Sequence, residues 1–181
     1  MEVGSRLESV QANTLNLRKA FSVGTSYLGI DRIAGPGVDE IVDLLDSAQV
    51  EVVRDHLKPS TIICLYVLEH VWDIQGAARA LGALWSKCPN AWLLVSTHQN
   101  QPYHGHGPDR PDLYDDFWRL TPVGMRRLLA ESGVPDVHLL LWPDALNPED
   151  IVAIRQPLAI EWPSAAVARS LSLVGHSWIN Q

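Results

Sequence analysis

Residues 60–71 read Ser-Thr-Ile-Ile-Cys-Leu-Tyr-Val-Leu-Glu-His-Val, and this stretch decides the fold. The run from Thr61 to Leu68 is apolar almost throughout. Its length and β-branched content are typical of a strand buried on both faces of a parallel sheet. Two polar residues, Glu69 and His70, follow at the carboxyl end of this predicted strand. Because open α/β sheets bind ligands at the carboxyl ends of their strands, this end is a candidate binding site.

The composition indicates one globular domain. The chain has 181 residues, of which 46% are hydrophobic and 19% charged, enough for a sizeable core. A formal net charge of −7 and the lack of a basic run argue against a nucleic-acid partner. No apolar run reaches the roughly 18–20 residues of a membrane span, and the N-terminus does not resemble a signal peptide. Cys64 lies inside the buried-strand run and Cys88 follows a helix pattern, so we expect no disulfide, an inert Cys64 and a cytoplasmic location.

Predicted strands and helices alternate along the chain. The predicted strands are Thr25–Asp31, Glu40–Leu45, residues 60–68, Ala91–Ser96, Val137–Trp142 and Ile151–Arg155. The predicted helices cover residues 9–22, 74–85 and 123–131, the last capped by Thr121 with Pro122 in its first turn. Residues 47–57 fit a strand or a helix. The order predicts an α/β fold with a doubly wound, mostly parallel sheet and an antiparallel strand pair at the C-terminal end.

Five segments carry a resemblance to a known family. They are Glu2-Val-Gly-Ser-Arg6, Tyr27-Leu-Gly-Ile-Asp31, Val38-Asp-Glu-Ile-Val-Asp43, Val67-Leu-Glu-His-Val71 and Asp116-Phe-Trp-Arg-Leu-Thr-Pro122. In this order and spacing they resemble the class I S-adenosylmethionine-dependent methyltransferases, particularly the small type 11 group. The resemblance spans Glu2 to Pro157. It implies a Rossmann-like methyltransferase domain over residues 1–157, with residues 158–181 as a tail packed on the domain or on a partner subunit.

The resemblance also implies an activity and a cofactor site. We expect methyl transfer from S-adenosylmethionine to an oxygen or nitrogen of a small-molecule acceptor. The implied cofactor-binding residues are Glu2, Gly4, Asp31, Asp43, Leu68 and Glu69. Gly4 would allow close backbone approach to the methionyl end, Asp31 would accept the ribose hydroxyls, and Asp43 would accept the adenine amino group. The residues also allow simpler roles: Asp31 capping a loop, Asp43 on a surface strand, and Glu69 holding backbone amides.

Residues 97–120 form a predicted long loop rich in histidine, proline, aspartate and aromatic residues. Loops of this length in compact domains are usually functional. The resemblance suggests a lid over the acceptor, with His70, His104 and His106 as catalytic residues and Tyr103, Trp118 and Arg119 binding the substrate. Arg119 also fits an ion pair with Asp115 or Asp116. A metal site built from His98, His104, His106 and the loop aspartates Asp109, Asp112, Asp115 and Asp116 is the weaker interpretation, so we predict no bound metal.

The beginning of the chain departs from the family pattern. Gly4 is the only glycine before Gly24, and Met1–Val3 is all that represents the first strand. We therefore expect a truncated N-terminus and a homodimer in which Trp162, Trp178 and Ser164–Ala168 form contacts. The same departure keeps open a non-catalytic methyltransferase-like binding or assembly module, with a metal-dependent hydrolase as a third hypothesis. Trp72 and Trp85 are expected in the core.

Overall fold

The structure is a computed structural model, and it describes residues 1–6, 17–20, 26–105, 114–142 and 150–155. The strands are β1 (Glu2–Val3), β2 (Gly29–Asp31), β3 (Glu40–Ile41), β4 (Thr61–Leu65), β5 (Trp92–His98), β6 (His138–Trp142) and β7 (Asp150–Arg155). They form a seven-stranded sheet in the order β3-β2-β1-β4-β5-β7-β6. Neighbouring strands are parallel from β3 to β5, whereas β7 is antiparallel to both β5 and β6. The predicted fold class is confirmed.

Four helices accompany the strands in the described part of the chain: α1 (Leu17–Ala20), α2 (Ser47–His56), α3 (Ile74–Ser86) and α4 (Pro122–Glu131). The ambiguous segment at 47–57 is a helix because Asp46 caps it, accepting the N–H groups of Ala48 and Gln49. Only Val50 and Val53 of that helix are buried. The apolar face of α3 packs into the core as predicted, and Trp85 is buried there. None of the helices described is both long and apolar enough to cross a membrane.

Four sequence-based predictions were wrong in detail. The strands predicted over Thr25–Asp31 and Glu40–Leu45 are only Gly29–Asp31 and Glu40–Ile41. The strand predicted over 60–68 ends at Leu65, because Tyr66 takes a left-handed conformation (φ 55°) that ends the strand ladder. A short 3-10 helix, Leu68–His70, follows it. Trp72 was expected in the core but is 70% exposed. It lies on the turn before α3 and packs against other aromatic rings rather than under the sheet.

The core is built around β4 and β5, whose residues are buried on both faces. Cys64 is fully buried, as predicted, and burial raises the pKa of its thiol well above the ordinary value. The tail at 158–181, with Trp162, Trp178 and Ser164–Ala168, lies outside the described residues, as does His106.

Candidate active site

The candidate site lies at the switch point of the sheet, where successive strands change from one side of β1 to the other. Strand β1 lies between β2 and β4, so the chain first adds strands on one side of β1 and then crosses to the other. The carboxyl ends of β1, β2 and β4 therefore converge, and they carry Gly4, Asp31 and the Leu68–His70 turn. In doubly wound sheets this switch point is the place where ligands bind.

Gly4 makes the turn at the end of β1. Its φ is 75°, a left-handed conformation that favours glycine, and an added Cβ would overlap Val67 Cγ2. Its N–H donates to the Ile30 carbonyl at 2.9 Å, which ties the turn to β2. The turn thus brings the backbone at the end of β1 directly against the residues that follow β4, and no other residue type fits without displacing Val67.

Asp31 holds the loop that follows β2. Its Oδ2 accepts the Arg6 N–H at 3.2 Å and its Oδ1 accepts the Ile33 N–H at 3.0 Å. The loop-capping role is therefore present. Each carboxylate oxygen accepts up to two hydrogen bonds, and the side chain is half-buried, so capacity remains for hydroxyl donors. The residue can cap the loop and bind a ligand together.

Glu2 is placed within β1 rather than at its end. The Tyr27 hydroxyl donates to Glu2 Oε2, and desolvation by burial raises the pKa of the Glu2 carboxyl to about 7. Asp43, beyond β3, accepts the Leu45 N–H at 2.9 Å and is half-buried. Asp39 accepts the Gly29 N–H at 2.7 Å. This contact was not predicted, because the acidic run after Gly37 was its only signal in the sequence.

The side chains of Leu68 and Glu69 are fully buried. Contact between these two residues and a ligand would therefore involve the main chain. Thr97 Oγ1 donates to Glu69 Oε2 at 3.1 Å, and Glu69 Oε1 lies 3.6 Å from His98 Nε2. Within the described residues nothing donates a hydrogen bond to Oε1. Burial raises the pKa of Glu69 to about 7, so this carboxyl is poised between its neutral and charged forms near neutral pH.

Three histidines meet beside Glu69. The His104 ring lies edge-on to both others, with centroids 4.9 Å from His70 and 5.0 Å from His98. His70 Nδ1 is 2.6 Å from the Asp115 carbonyl oxygen, and burial lowers the pKa of His70 to about 4, so its ring is neutral at pH 7. The Tyr66 ring stacks on His98 with centroids 4.5 Å apart, held there by the left-handed backbone at Tyr66.

Arg119 and Asp116 form a bidentate ion pair, with Nη1–Oδ1 at 2.5 Å and Nη2–Oδ2 at 2.6 Å. Burial opposes ionisation of Asp116, but the hydrogen bonds from Arg119 and His104 outweigh it and lower its pKa to about 2. Arg119 also donates to the carbonyls of Gln101 and Pro102. The ion pair considered from the sequence is therefore present, and the bonds from Arg119 to Gln101 and Pro102 join the two described arms of the long loop. The role of Arg119 in substrate binding stays a prediction.

Two other predicted substrate-binding residues lie at the rim. The Tyr103 hydroxyl donates to Asp115 Oδ1 at 2.5 Å, and Tyr103 is 61% exposed. Trp118 Nε1 donates to the Val71 carbonyl at 2.9 Å, and its ring packs on the exposed ring of Trp72. From the sequence, His98 was considered only as a metal ligand, and Tyr66 was not assigned to the site. Only their positions near strand ends signalled a role, since their contacts depend on the pairing of β4 with β5.

The sheet order, the parallel core and the antiparallel pair at one edge define the fold of class I S-adenosylmethionine-dependent methyltransferases. No protein-family model and no curated protein sequence matches the chain. Solved structures do match its fold.

One is a SAM-dependent methyltransferase from Archaeoglobus fulgidus, with a TM-score of 0.55, 13% identity, and coverage of 85% of this chain and 84% of that one. A methyltransferase from Mesorhizobium loti gives a TM-score of 0.52, 15% identity and coverage of 84% and 88%. The 1,6-didemethyltoxoflavin-N1-methyltransferase from Burkholderia thailandensis, solved with S-adenosylhomocysteine bound, gives 0.53, 12%, and coverage of 86% and 69%.

Proposed function

We propose that this protein is an S-adenosylmethionine-dependent methyltransferase of the type 11 group, acting on an oxygen or nitrogen of a small-molecule acceptor. The observation that carries the proposal is the convergence of Gly4, Asp31 and the Leu68–His70 turn at the switch point of a sheet with this strand order. At the carboxyl edge of the sheet, Gly4 allows a ligand to approach the backbone closely and Asp31 can accept hydrogen bonds from hydroxyl groups. A cluster of histidines lies at the same edge.

In this proposal the cofactor lies across the carboxyl ends of β1 and β2. The methionyl end lies at Glu2 and Gly4, the ribose hydroxyls donate to Asp31, and the adenine lies towards Asp43. The main chain at Leu68 and Glu69 contacts the cofactor from β4, because their side chains are buried. The sulfonium supplies the activation of the methyl group, so the chain has to bind the cofactor and align the acceptor with it.

The acceptor lies on the histidine side of the cofactor. His70 and His104 are proposed as catalytic residues, together with His106, which lies outside the described residues. Tyr103, Trp118 and Arg119 line or support the acceptor side. A small-molecule acceptor is supported by the Burkholderia structural neighbour, which was solved with 1,6-didemethyltoxoflavin bound. The packed rings of Trp72 and Trp118 suit an acceptor with an apolar face.

A second candidate function is a methyltransferase-like module that binds a partner without catalysis. The state of Glu2 favours it: the carboxyl bonds to Tyr27, and burial keeps its pKa near 7. A carboxyl in this state is a weaker partner for the ammonium group of the cofactor than a free carboxylate. The predicted homodimer and cytoplasmic location stay predictions; sedimentation at micromolar concentration tests the dimer.

Calorimetric titration with S-adenosylmethionine and with S-adenosylhomocysteine tests the proposed function. We expect one equivalent of either ligand to bind per chain. Incubation with labelled S-adenosylmethionine and fractionated small-molecule extracts should then yield a labelled product. A folded protein that binds neither ligand would refute the enzyme and favour the binding module.

A further inference from the structure

We propose that His70, His104 and Asp116 bind a divalent transition-metal ion on the acceptor side of the candidate site. Each residue offers one ligand atom, and the three atoms lie within 4.8 Å of one another. They come from distant parts of the chain: the turn after β4 and the two arms of the long loop. Metal–ligand bonds of roughly 2.0–2.2 Å place neighbouring ligand atoms about 3–3.5 Å apart, so side-chain shifts of about 1 Å complete the set.

The donor types select the class of metal. Imidazole nitrogens bind zinc, iron, cobalt and nickel, whereas magnesium and calcium prefer sites made of oxygen atoms. Two histidines and one carboxylate leave coordination positions open for another molecule. The weaker interpretation made from the sequence used only residues of the long loop, its histidines and its aspartates. The fold changes that interpretation, because it adds His70 from a rigid turn at the end of the sheet.

The contacts around the three ligands are those that orient metal ligands in proteins. His70 Nδ1 lies 2.6 Å from the Asp115 carbonyl; in the tautomer with the proton on Nδ1, this bond fixes the ring and leaves Nε2 to bind the metal. His104 Nδ1 lies 3.1 Å from both the Pro102 carbonyl and Asp116 Oδ2, which leaves Nε2 of this ring to bind the metal. Asp116 is oriented by both guanidinium nitrogens of Arg119 and by the His104 N–H at 3.0 Å.

The charges around the cluster favour a cation. The Asp116 carboxylate lies beside His104, and the buried Glu69 carboxyl lies beside His98, whose ring contacts His104. Arg119 is the cation that faces them in the described segments, and it is bonded to Asp116. The Glu69 Oε1 atom accepts no hydrogen bond from the described residues. The cluster is partly buried, and charges interact more strongly where the effective dielectric constant is low. These carboxyl groups would therefore stabilise a divalent ion bound by His70, His104 and Asp116.

The place of the metal suggests the class of acceptor, and this step rests on the proposed function. His70 directly follows Glu69 at the switch point, so a metal ion bound there would lie at the same edge of the sheet as the proposed cofactor site. An acceptor with a hydroxyl beside a second hydroxyl or a carbonyl could chelate the ion through its oxygens. The metal would then hold the accepting oxygen in place, and the histidines would act through the metal.

Metal titration tests the site without any knowledge of the acceptor. The full chain, with any affinity tag removed, is treated with a chelator and titrated with Co²⁺ by visible absorption and with Zn²⁺ by calorimetry. We expect one equivalent to bind, with Co²⁺ giving the absorption of a nitrogen- and oxygen-liganded ion. His104→Ala and Asp116→Asn should weaken binding at least tenfold. The matched control is His56→Ala, since His56 is an exposed histidine at the end of α2.

A measurement on the unmodified chain covers the case in which a variant fails to fold. Addition of Co²⁺ should shift the ring proton signals of His70 and His104 strongly and those of His56 only weakly. The inference is overturned if the unmodified chain binds neither ion at millimolar concentration. It is equally overturned if the folded ligand variants bind as tightly as the control. Cofactor titration of the metal-free chain is a separate test, so failure of the metal site and failure of the proposed function are distinguishable.

Discussion

Asp31 combines a structural and a proposed ligand-binding role, and one substitution separates them. Asp31→Ala should weaken S-adenosylmethionine binding by roughly 1.5–3 kcal/mol, the range for hydrogen bonds to a charged group. Calorimetry measures this loss, and urea unfolding measures the cost of removing the bonds from Arg6 and Ile33. Asp55→Ala, on the exposed side of α2, is the control. Unchanged affinity in a folded Asp31→Ala protein would remove Asp31 from the site.

Gly4 is required by both backbone conformation and space. Gly4→Ala should destabilise the protein by about 2 kcal/mol or more, because a left-handed alanine is strained and its Cβ meets Val67. Adding Val67→Ala removes the overlap but leaves the backbone strain. The double-mutant cycle, measured by chemical unfolding, should therefore show a coupling between the two sites. Strictly additive effects would show that Val67 does not restrict the residue at position 4.

Glu69 should make stability depend on pH. Its pKa is raised from 4.5 to about 7, so the folded state favours the neutral carboxyl. Its contribution is therefore most favourable below pH 4.5 and declines as pH rises to about 7, by about 3 kcal/mol. Glu69→Gln should remove this decline. Urea unfolding at a series of pH values measures the free energy of unfolding of both proteins. The raised pKa of Glu2 affects both equally, so its effect cancels in the difference. Parallel curves would contradict the burial of an ionisable Glu69.

Single residues differ in how well the sequence predicts their contacts. Asp31 and Gly4 were predicted from their places after short strands, since the end of a strand fixes where its next residues lie. The Arg119–Asp116 pair was open to prediction because its partners are three residues apart. The neighbours of Glu69 were not, because Thr97 and His98 reach it through the pairing of β4 with β5. The left-handed Tyr66 gave no local signal at all.

At the scale of elements, α4 depends on its cap. Thr121 Oγ1 accepts the Gly124 N–H at 3.1 Å, and Pro122 begins the helix. Thr121→Ala should cost about 1 kcal/mol of stability, and Thr121→Ser should restore most of it. Thermal or urea unfolding measures the change. Val123→Ala, in the same turn but 74% exposed, should have little effect. An equal loss in both alanine variants would show that the cap is not the cause.

Elements with strong periodicity were predicted well, and their ends were not. Helix α3 follows its apolar spacing, and β5 begins with the apolar run Trp92–Val95. The strand predicted over 60–68 is shorter in the structure, because residues 66–68 stay apolar while the backbone turns into a 3-10 helix. Hydrophobic content reports burial, and burial continues through this turn although strand pairing does not. Trp72 shows the converse, since a large apolar residue on a turn is exposed beside other aromatic rings.

At the scale of the whole molecule, the centre of the sheet should be inert to reagents. Cys64 is completely buried in β4, and burial raises the pKa of its thiol. A thiol reagent should label it at the rate of global unfolding, and labelling should slow when a ligand stabilises the fold. Peptide mass spectrometry distinguishes Cys64 from Cys88. Rapid labelling of Cys64 in the native protein would show that the sheet opens locally.

The central position of β1 has a consequence for synthesis. Val3 pairs with Ile30 and with Cys64, so the pairing of β1 is completed only when β4 emerges. At ribosomal speeds of about 5–20 residues per second, roughly 3–12 seconds separate Val3 from Cys64. Strand β5 then lacks its outer neighbour for a further interval, because β7 begins only at Asp150. The nascent chain therefore presents one open strand edge after another, and chaperones that shield such edges would decide its yield.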